Sequence, residues 1–189
     1  MALLEDVVTY LEMTERPART PAPAPRGPSA LMRVEKCPIS YYRYLYKEVG
    51  EPWLWYERRR LDDAALAAIL HRPETELFVL YVGGAPGGYF ELDRTVEHQC
   101  ELSYIGLVPH VIGRGWGRFL LDAAVDAAWS GTTRRVWVHT CTFDHPRALG
   151  AYQKAGFRVF DRRPIRFVDP RTDGTLPRSL AHPRLPTLD

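Results

Sequence analysis

The run Val108-Pro109-His110-Val111-Ile112-Gly113-Arg114-Gly115-Trp116-Gly117 limits what this chain can fold into more than any other stretch. Ahead of it, Glu101 to Val108 reads as a strand, which Pro109 ends because proline brings no donor to a ladder. Behind it, Gly117 to Trp129 reads as a helix. Leu120, Leu121, Ala124, Val125 and Ala128 form its apolar stripe, and Arg118, Asp122 and Asp126 form a polar row on the other side. Glycines at alternate positions let the backbone turn tightly and bring its N–H groups against a ligand with no Cβ in the way. The helix start adds unpaired N–H groups and a partial positive charge. A strand, loop and helix of this kind form an anion site suited to a pyrophosphate.

Spacing narrows the ligand. A dinucleotide loop needs GxGxxG, and Arg118 or Leu120 stands where the third glycine would fall. A P-loop needs GxxxxGK followed by Ser or Thr, and the chain has no such string. Both nucleotide readings fail.

The remaining elements frame this unit. Asp6 to Met13 and Ala30 to Cys37 read as strands, separated by a Pro-rich extended connector over 17–29. Pro38 opens a helix through Val49, closed by Gly50, and a second helix covers Asp62 to His71. Leu77 to Val82 and Gly88 to Asp93 form a hairpin about Gly83-Gly84. After the glycine loop and its helix come a strand (Arg135 to Thr140), a helix (Pro146 to Ala155) stopped by Gly156, and a strand from Phe157 to Asp161, joined by Ile165 to Val168. Residues 170–189 are polar and Pro-rich and read as a loosely ordered tail. This order predicts one α/β (α+β) domain over 1–189, with a mostly antiparallel sheet and a parallel crossover in its second half.

Composition excludes several classes. The formal charge is +2 and the arginines are scattered, which argues against nucleic acid as a partner. Cys37, Cys100 and Cys141 are odd in number and widely spaced, so neither a disulfide framework nor a metal site is expected. No stretch reads as a signal peptide or a membrane span, and a cytoplasmic setting is the simplest expectation.

With GxGxxG and the P-loop set aside, the loop resembles the Gln/Arg-x-x-Gly-x-Gly/Ala loop of the GNAT N-acetyltransferase superfamily. Gly115 and Gly117 match its small positions, and Ile112 departs from its usual Gln or Arg. One helix downstream, Ala148-Leu149-Gly150-Ala151-Tyr152-Gln153-Lys154-Ala155-Gly156-Phe157 is similar to the family's AxxxYxKxGF segment. The resemblance runs from about Leu77 to Phe160. It implies a sheet whose central strands, Leu102 to Val108 and Val136 to Thr140, splay apart to admit the pantetheine of acetyl-CoA. It further implies a cofactor site at Ile105, Gly106, Leu107, Val108, Ile112, Gly113, Arg114, Gly115, Trp116, Gly117, Arg118, His145, Ala148 and Tyr152. His145 stands where the family often has Asn.

The implied reaction moves an acetyl group to a primary amine by direct attack in a ternary complex. An alkylammonium group has a pKa of about 10.4, so a base must help at neutral pH. Glu101, thirteen residues before Arg114, is the first expectation for that base, set against a solvent-facing carboxylate on a half-exposed strand. His139, on the splayed partner strand, is the second, set against a structural histidine. Tyr152 matches the family's general acid for the departing thiolate, set against a packed helix tyrosine.

The acceptor is expected between the first two helices and the last strand pair. Tyr41, Tyr42, Trp53, Trp55, Tyr56 and Glu57 lie there, with His139 opposite, as an aromatic wall and a carboxylate for a cationic or apolar amine. The residues leave open a small molecule or a peptide as acceptor. They also leave open a longer acyl chain, or a module that binds acyl-CoA without turnover. A homodimer across a sheet edge is a further expectation.

Overall fold

A computed structural model describes residues 2–188. The strands are β1 (Leu3–Met13), β2 (Ser29–Val34), β3 (Thr75–Val82), β4 (Ala85–Asp93), β5 (Gln99–Leu107), β6 (Arg135–Thr140) and β7 (Arg158–Val168). The helices are α1 (Ile39–Gly50), α2 (Asp63–Leu70), α3 (Trp116–Ala128) and α4 (Ala148–Ala155). The strands form one sheet in the order β2-β3-β4-β5-β6-β1-β7. Every neighbouring pair is antiparallel except β5 with β6, which α3 joins as a parallel crossover. No helix among the described residues is long and apolar enough to cross a membrane.

The β5–β6 pairing is short. Gln99, Cys100 and Glu101 sit opposite Arg135, Val136 and Trp137, and no pairing follows. β5 runs on to Leu107 bonded to β4 alone, so its other edge carries free backbone donors and acceptors facing a gap. This is the expected splay. The apolar stripe of α3 (Leu120, Leu121, Ala124, Val125 and Ala128) is buried against the sheet and holds the crossover in place.

Three features are left open by the sequence or differ from its expectations. β1 sits inside the sheet, antiparallel to both β6 and β7, with Val8, Leu11 and Met13 buried. β7 is one strand rather than two. Pro164 lies within it opposite Val7, at the sheet's edge, where a missing N–H is tolerated. The segment after Val168 is held rather than loose. Asp169 and Arg171 form a salt bridge of 2.7 Å with both side chains 1% exposed. Leu176 packs with Leu54 and Phe143, and His182 Nε2 lies 2.9 Å from the Phe143 carbonyl.

The Pro-rich connector is likewise tied down, as a strap across α3. Arg16 pairs with Asp126 at 3.7 Å and Arg19 with Asp122 at 3.0 Å, and the Ala22 N–H donates to Asp122 Oδ2 at 2.8 Å. Asp122 is therefore buried under the strap instead of facing water with the rest of the polar row. The strap then brings Pro25 against Gly115.

Candidate active site

A cleft of about 490 Å³ opens where β5 and β6 part. One end is made by the glycine loop. Ile105, Gly106 and Leu107 of β5 line it, with Ile112, Gly113, Gly115 and Gly117, Arg118 of α3, and His145, Ala148 and Tyr152 across the gap. Val108, Arg114 and Trp116 do not line the cleft. Val108 is buried, Arg114 is exposed, and the Trp116 indole turns into the core, edge-on to Phe119 at 5.8 Å.

This end fits an anion. Gly113 and Gly115 hold φ of +84° and +87°, a backbone that side chains resist. The start of α3 has no side-chain cap and no acidic residue in its first turn, so its N–H groups stay available. A Cβ on Gly117 would meet only Leu107 Cδ1, at 3.7 Å, so the loop's concave side is open. Arg118 and Arg147 add positive charge. The residues present therefore suit the diphosphate of a coenzyme such as CoA, with the free edge of β5 beside it for an amide-bearing arm.

Tyr152 projects from α4 with its ring 8% exposed and edge-on to Phe157 at 5.9 Å. Its hydroxyl makes no hydrogen bond to another described residue, although the side chain lines the cleft. Burial, and then the charge of Asp144, push this phenol far above its ordinary range, so it keeps its proton at neutral pH.

The two candidate bases come together. Glu101 Oε1 lies 3.3 Å from His139 Nδ1. His139 lines the cleft and Glu101 does not, so the carboxylate reaches the cleft through the imidazole. Burial pulls the His139 pKa down, but the hydrogen bond and charge of Glu101, helped by Asp144 and Glu57, outweigh it, and the net direction is up from 6.5. Such a pair can take a proton near neutral pH.

The other end of the cleft is aromatic. Trp53, Trp55 and Tyr56 line it, from the loop that follows α1. Tyr41 does not. It lies elsewhere, its hydroxyl 2.8 Å from that of Tyr81. Tyr42 is in the core, donating to Glu91 at 2.6 Å.

Sequence reasoning missed Tyr104, Asp6 and Asp144, all of which line the cleft. Asp144 ties its walls together. It accepts from Trp55 Nε1 at 3.3 Å, from Thr140 Oγ1 at 2.7 Å and from the Cys141 N–H at 2.9 Å. Trp55 lies 89 residues from Asp144 in sequence, so no local pattern announces the bridge. His145 Nδ1 accepts from the Arg147 N–H at 3.1 Å and its ring packs on Trp53. Burial and the neighbouring Arg147 charge lower its pKa and keep it neutral.

The sequence model of the Acetyltransferase (GNAT) family matches residues 40–157. The chain belongs to the GNAT acetyltransferase family. The match spans α1 to the Gly156 stop of α4 and so covers the glycine loop, the splay and Tyr152. No curated protein matches the chain in sequence.

Solved structures share the GNAT fold. A GCN5-related N-acetyltransferase from Sphaerobacter thermophilus superposes with a TM-score of 0.58 at 19% identity, over 86% of this chain and 51% of that one. The present chain thus spans about half the length of that protein. An IAA acetyltransferase from Bacillus cereus gives 0.53 at 23% identity, over 71% of this chain and 79% of that one. An aminoglycoside acetyltransferase from an uncultured soil metagenomic sample gives 0.56 at 14%, over 68% and 87%. At these identities the likeness is one of fold.

Proposed function

We propose that the chain transfers the acetyl group of acetyl-CoA to the nitrogen of a primary amine, both substrates being held in the cleft at once. The observation that carries this reading is the meeting, in one cleft, of an anion cradle, a protonated Tyr152 whose hydroxyl bonds no other described residue, and the His139–Glu101 pair.

The glycine loop and the start of α3 hold the diphosphate through backbone N–H groups, which offsets the loss of a polar side chain at Ile112. The free edge of β5 takes the pantetheine amides, and a backbone N–H near Leu107 faces the thioester oxygen as negative charge grows there. His139 removes a proton from the acceptor's ammonium, and Glu101 steadies the imidazolium that results. The freed nitrogen attacks the thioester carbon, a C–N bond forms, and the C–S bond breaks. Tyr152 gives its proton to the departing sulfur, and the second proton that the nitrogen sheds as the amide forms restores the Tyr152 phenol.

The pair gives the test its direction. A base works only when unprotonated, so raising the His139 pKa moves the acidic limb of the kcat profile to higher pH. Removing the Glu101 carboxylate removes the main upward influence. With an amine that wild type acetylates, followed by CoA thiol release, the wild-type limb is expected above pH 6.5 and the Glu101→Gln limb at lower pH than the wild-type one. The variant's kcat at neutral pH is expected to fall roughly 10- to 100-fold. A limb that stays in place would remove His139 and Glu101 from proton transfer.

A further inference from the structure

The acceptor half of the cleft carries its own chemistry. Trp53, Trp55, Tyr56, Tyr104, Phe143 and Phe167 wall it. Behind Phe143, Phe167 and Tyr56 lies the apolar cluster made by Leu54 and the C-terminal Leu176, so this wall is backed rather than open to a passing chain. Three carboxylates face the same space, those of Asp6, Glu57 and Asp144.

These carboxylates differ in what they have left to offer. Asp6 is buried, at 5% exposed; its Oδ1 accepts from the Val7 N–H, the Thr142 N–H and the Thr142 hydroxyl, and none of these bonds falls on its Oδ2. Asp144 accepts on both oxygens. Glu57 is exposed and accepts a single bond, on Oε2 from the Tyr46 hydroxyl at 3.1 Å. Its Oε1 makes no hydrogen bond to a described residue, and no described arginine or lysine pairs with it. The adjacent Arg58 is turned away into a 2.7 Å salt bridge with Glu91. After the larger effect of burial, the Glu57 charge also helps lift the ionisations of Tyr56 and Tyr104, which places it electrostatically among the rings of the wall.

From this arrangement we infer that the acceptor is a small monocation, a primary ammonium group on an apolar, ring-sized body, with Glu57 binding the ammonium and the aromatic wall the body. The inference rests on the reading of the cleft as an acetyltransferase site and names the acceptor's class. Rings and an unpaired carboxylate attract a cation, and the rings also reward apolar area. A polyhydroxylated polyamine or a peptide backbone would bring many polar groups against walls that offer few partners, at a cost for each one left unpaired. Charge runs the right way along the cleft, from Arg118 and Arg147 at the phosphate end to Glu57 at the other.

The test uses a cation that cannot be acetylated. Calorimetry with 2-phenylethyl-trimethylammonium, in the presence of CoA, is expected to show binding to the wild type. Glu57→Gln is expected to weaken it about 10-fold or more, with unchanged affinity for CoA as the check on folding. In transfer assays 2-phenylethylamine is expected to exceed spermidine, an aminoglycoside and a lysine-containing peptide in kcat/KM. The inference is overturned if the probe does not bind, if Glu57→Gln binds it equally well, or if a polycation or the peptide is the better acceptor. Probe binding that depends on Glu57, with no acetyl transfer to any amine, would sustain the cation site and defeat the transferase reading instead.

Discussion

Arg58→Met is expected to destabilise the fold by about 3–5 kcal/mol, the usual cost of breaking a buried ion pair from one side. Glu91 is fully buried on β4 and accepts from Arg58 Nη2 at 2.7 Å and from the Tyr42 hydroxyl at 2.6 Å. The Arg58 side chain is 14% exposed and leans over the Tyr104 ring at 5.3 Å. A thioether in place of the guanidinium leaves the Glu91 carboxylate buried without its counter-charge. Urea unfolding reads the effect as a lower midpoint at similar slope.

The pH dependence follows from the direction of the Glu91 shift. Burial raises its pKa, Arg58 and Tyr42 oppose the rise, and the net direction is up from 4.5. The folded state therefore holds this proton more tightly than the unfolded chain does. Stability from the group is present below the ordinary carboxylate range and is lost as pH rises through the folded pKa. Glu91 is thus no source of acid lability. Replacing Glu91 and Arg58 together by apolar residues of similar size is expected to recover most of the loss, because the desolvation cost disappears with both charges. A double variant as unstable as Arg58→Met would show that the cost comes from packing.

Tyr152→Phe is expected to lower kcat by about 10²–10³-fold while leaving acetyl-CoA affinity nearly unchanged. The ring supplies the packing, against Phe157 and within the core, and phenylalanine keeps it. The hydroxyl makes no hydrogen bond to another described residue, so its removal acts on the thiolate's proton alone. Single-turnover measurement with saturating acetyl-CoA isolates that step from binding and release. An unchanged single-turnover rate would reduce Tyr152 to a packed helix tyrosine.

What the sequence made legible is contiguous. The glycine loop, the helix behind it and the Tyr-Gln-Lys-Ala-Gly-Phe string each carry their signal within a few residues, and each contributes residues that line the cleft. Features made by distant segments carried no such signal. β1 reads as a strand, yet nothing local says that Tyr10 will lie opposite both His139 and Asp161. Asp122 has the spacing of a solvated helix face, and only the strap's Arg19 and Ala22 explain its burial. Tyr41 and Tyr42 are neighbours in a tyrosine-rich helix, and the turn of that helix sends one to Tyr81 and the other to Glu91. Glu101 and His139 were separate candidates until β5–β6 pairing set them 3.3 Å apart.

The glycine loop offers the most direct measurement. Gly115 is a poor place to perturb, since its φ of +87° and the nearby Pro25 strain any side chain there. Gly117 has ordinary φ and open space beyond Leu107, so Gly117→Glu puts a carboxylate into the anion cradle without breaking the turn. Like charges about 4 Å apart repel by roughly 4 kcal/mol at an effective dielectric near 20, about a thousandfold in affinity. Calorimetric titration with acetyl-CoA is therefore expected to show one site on the wild type and no measurable binding to a folded Gly117→Glu variant. Absence of heat from the wild type up to millimolar acetyl-CoA, or equal binding by both proteins, would contradict an acetyl-CoA site at this loop.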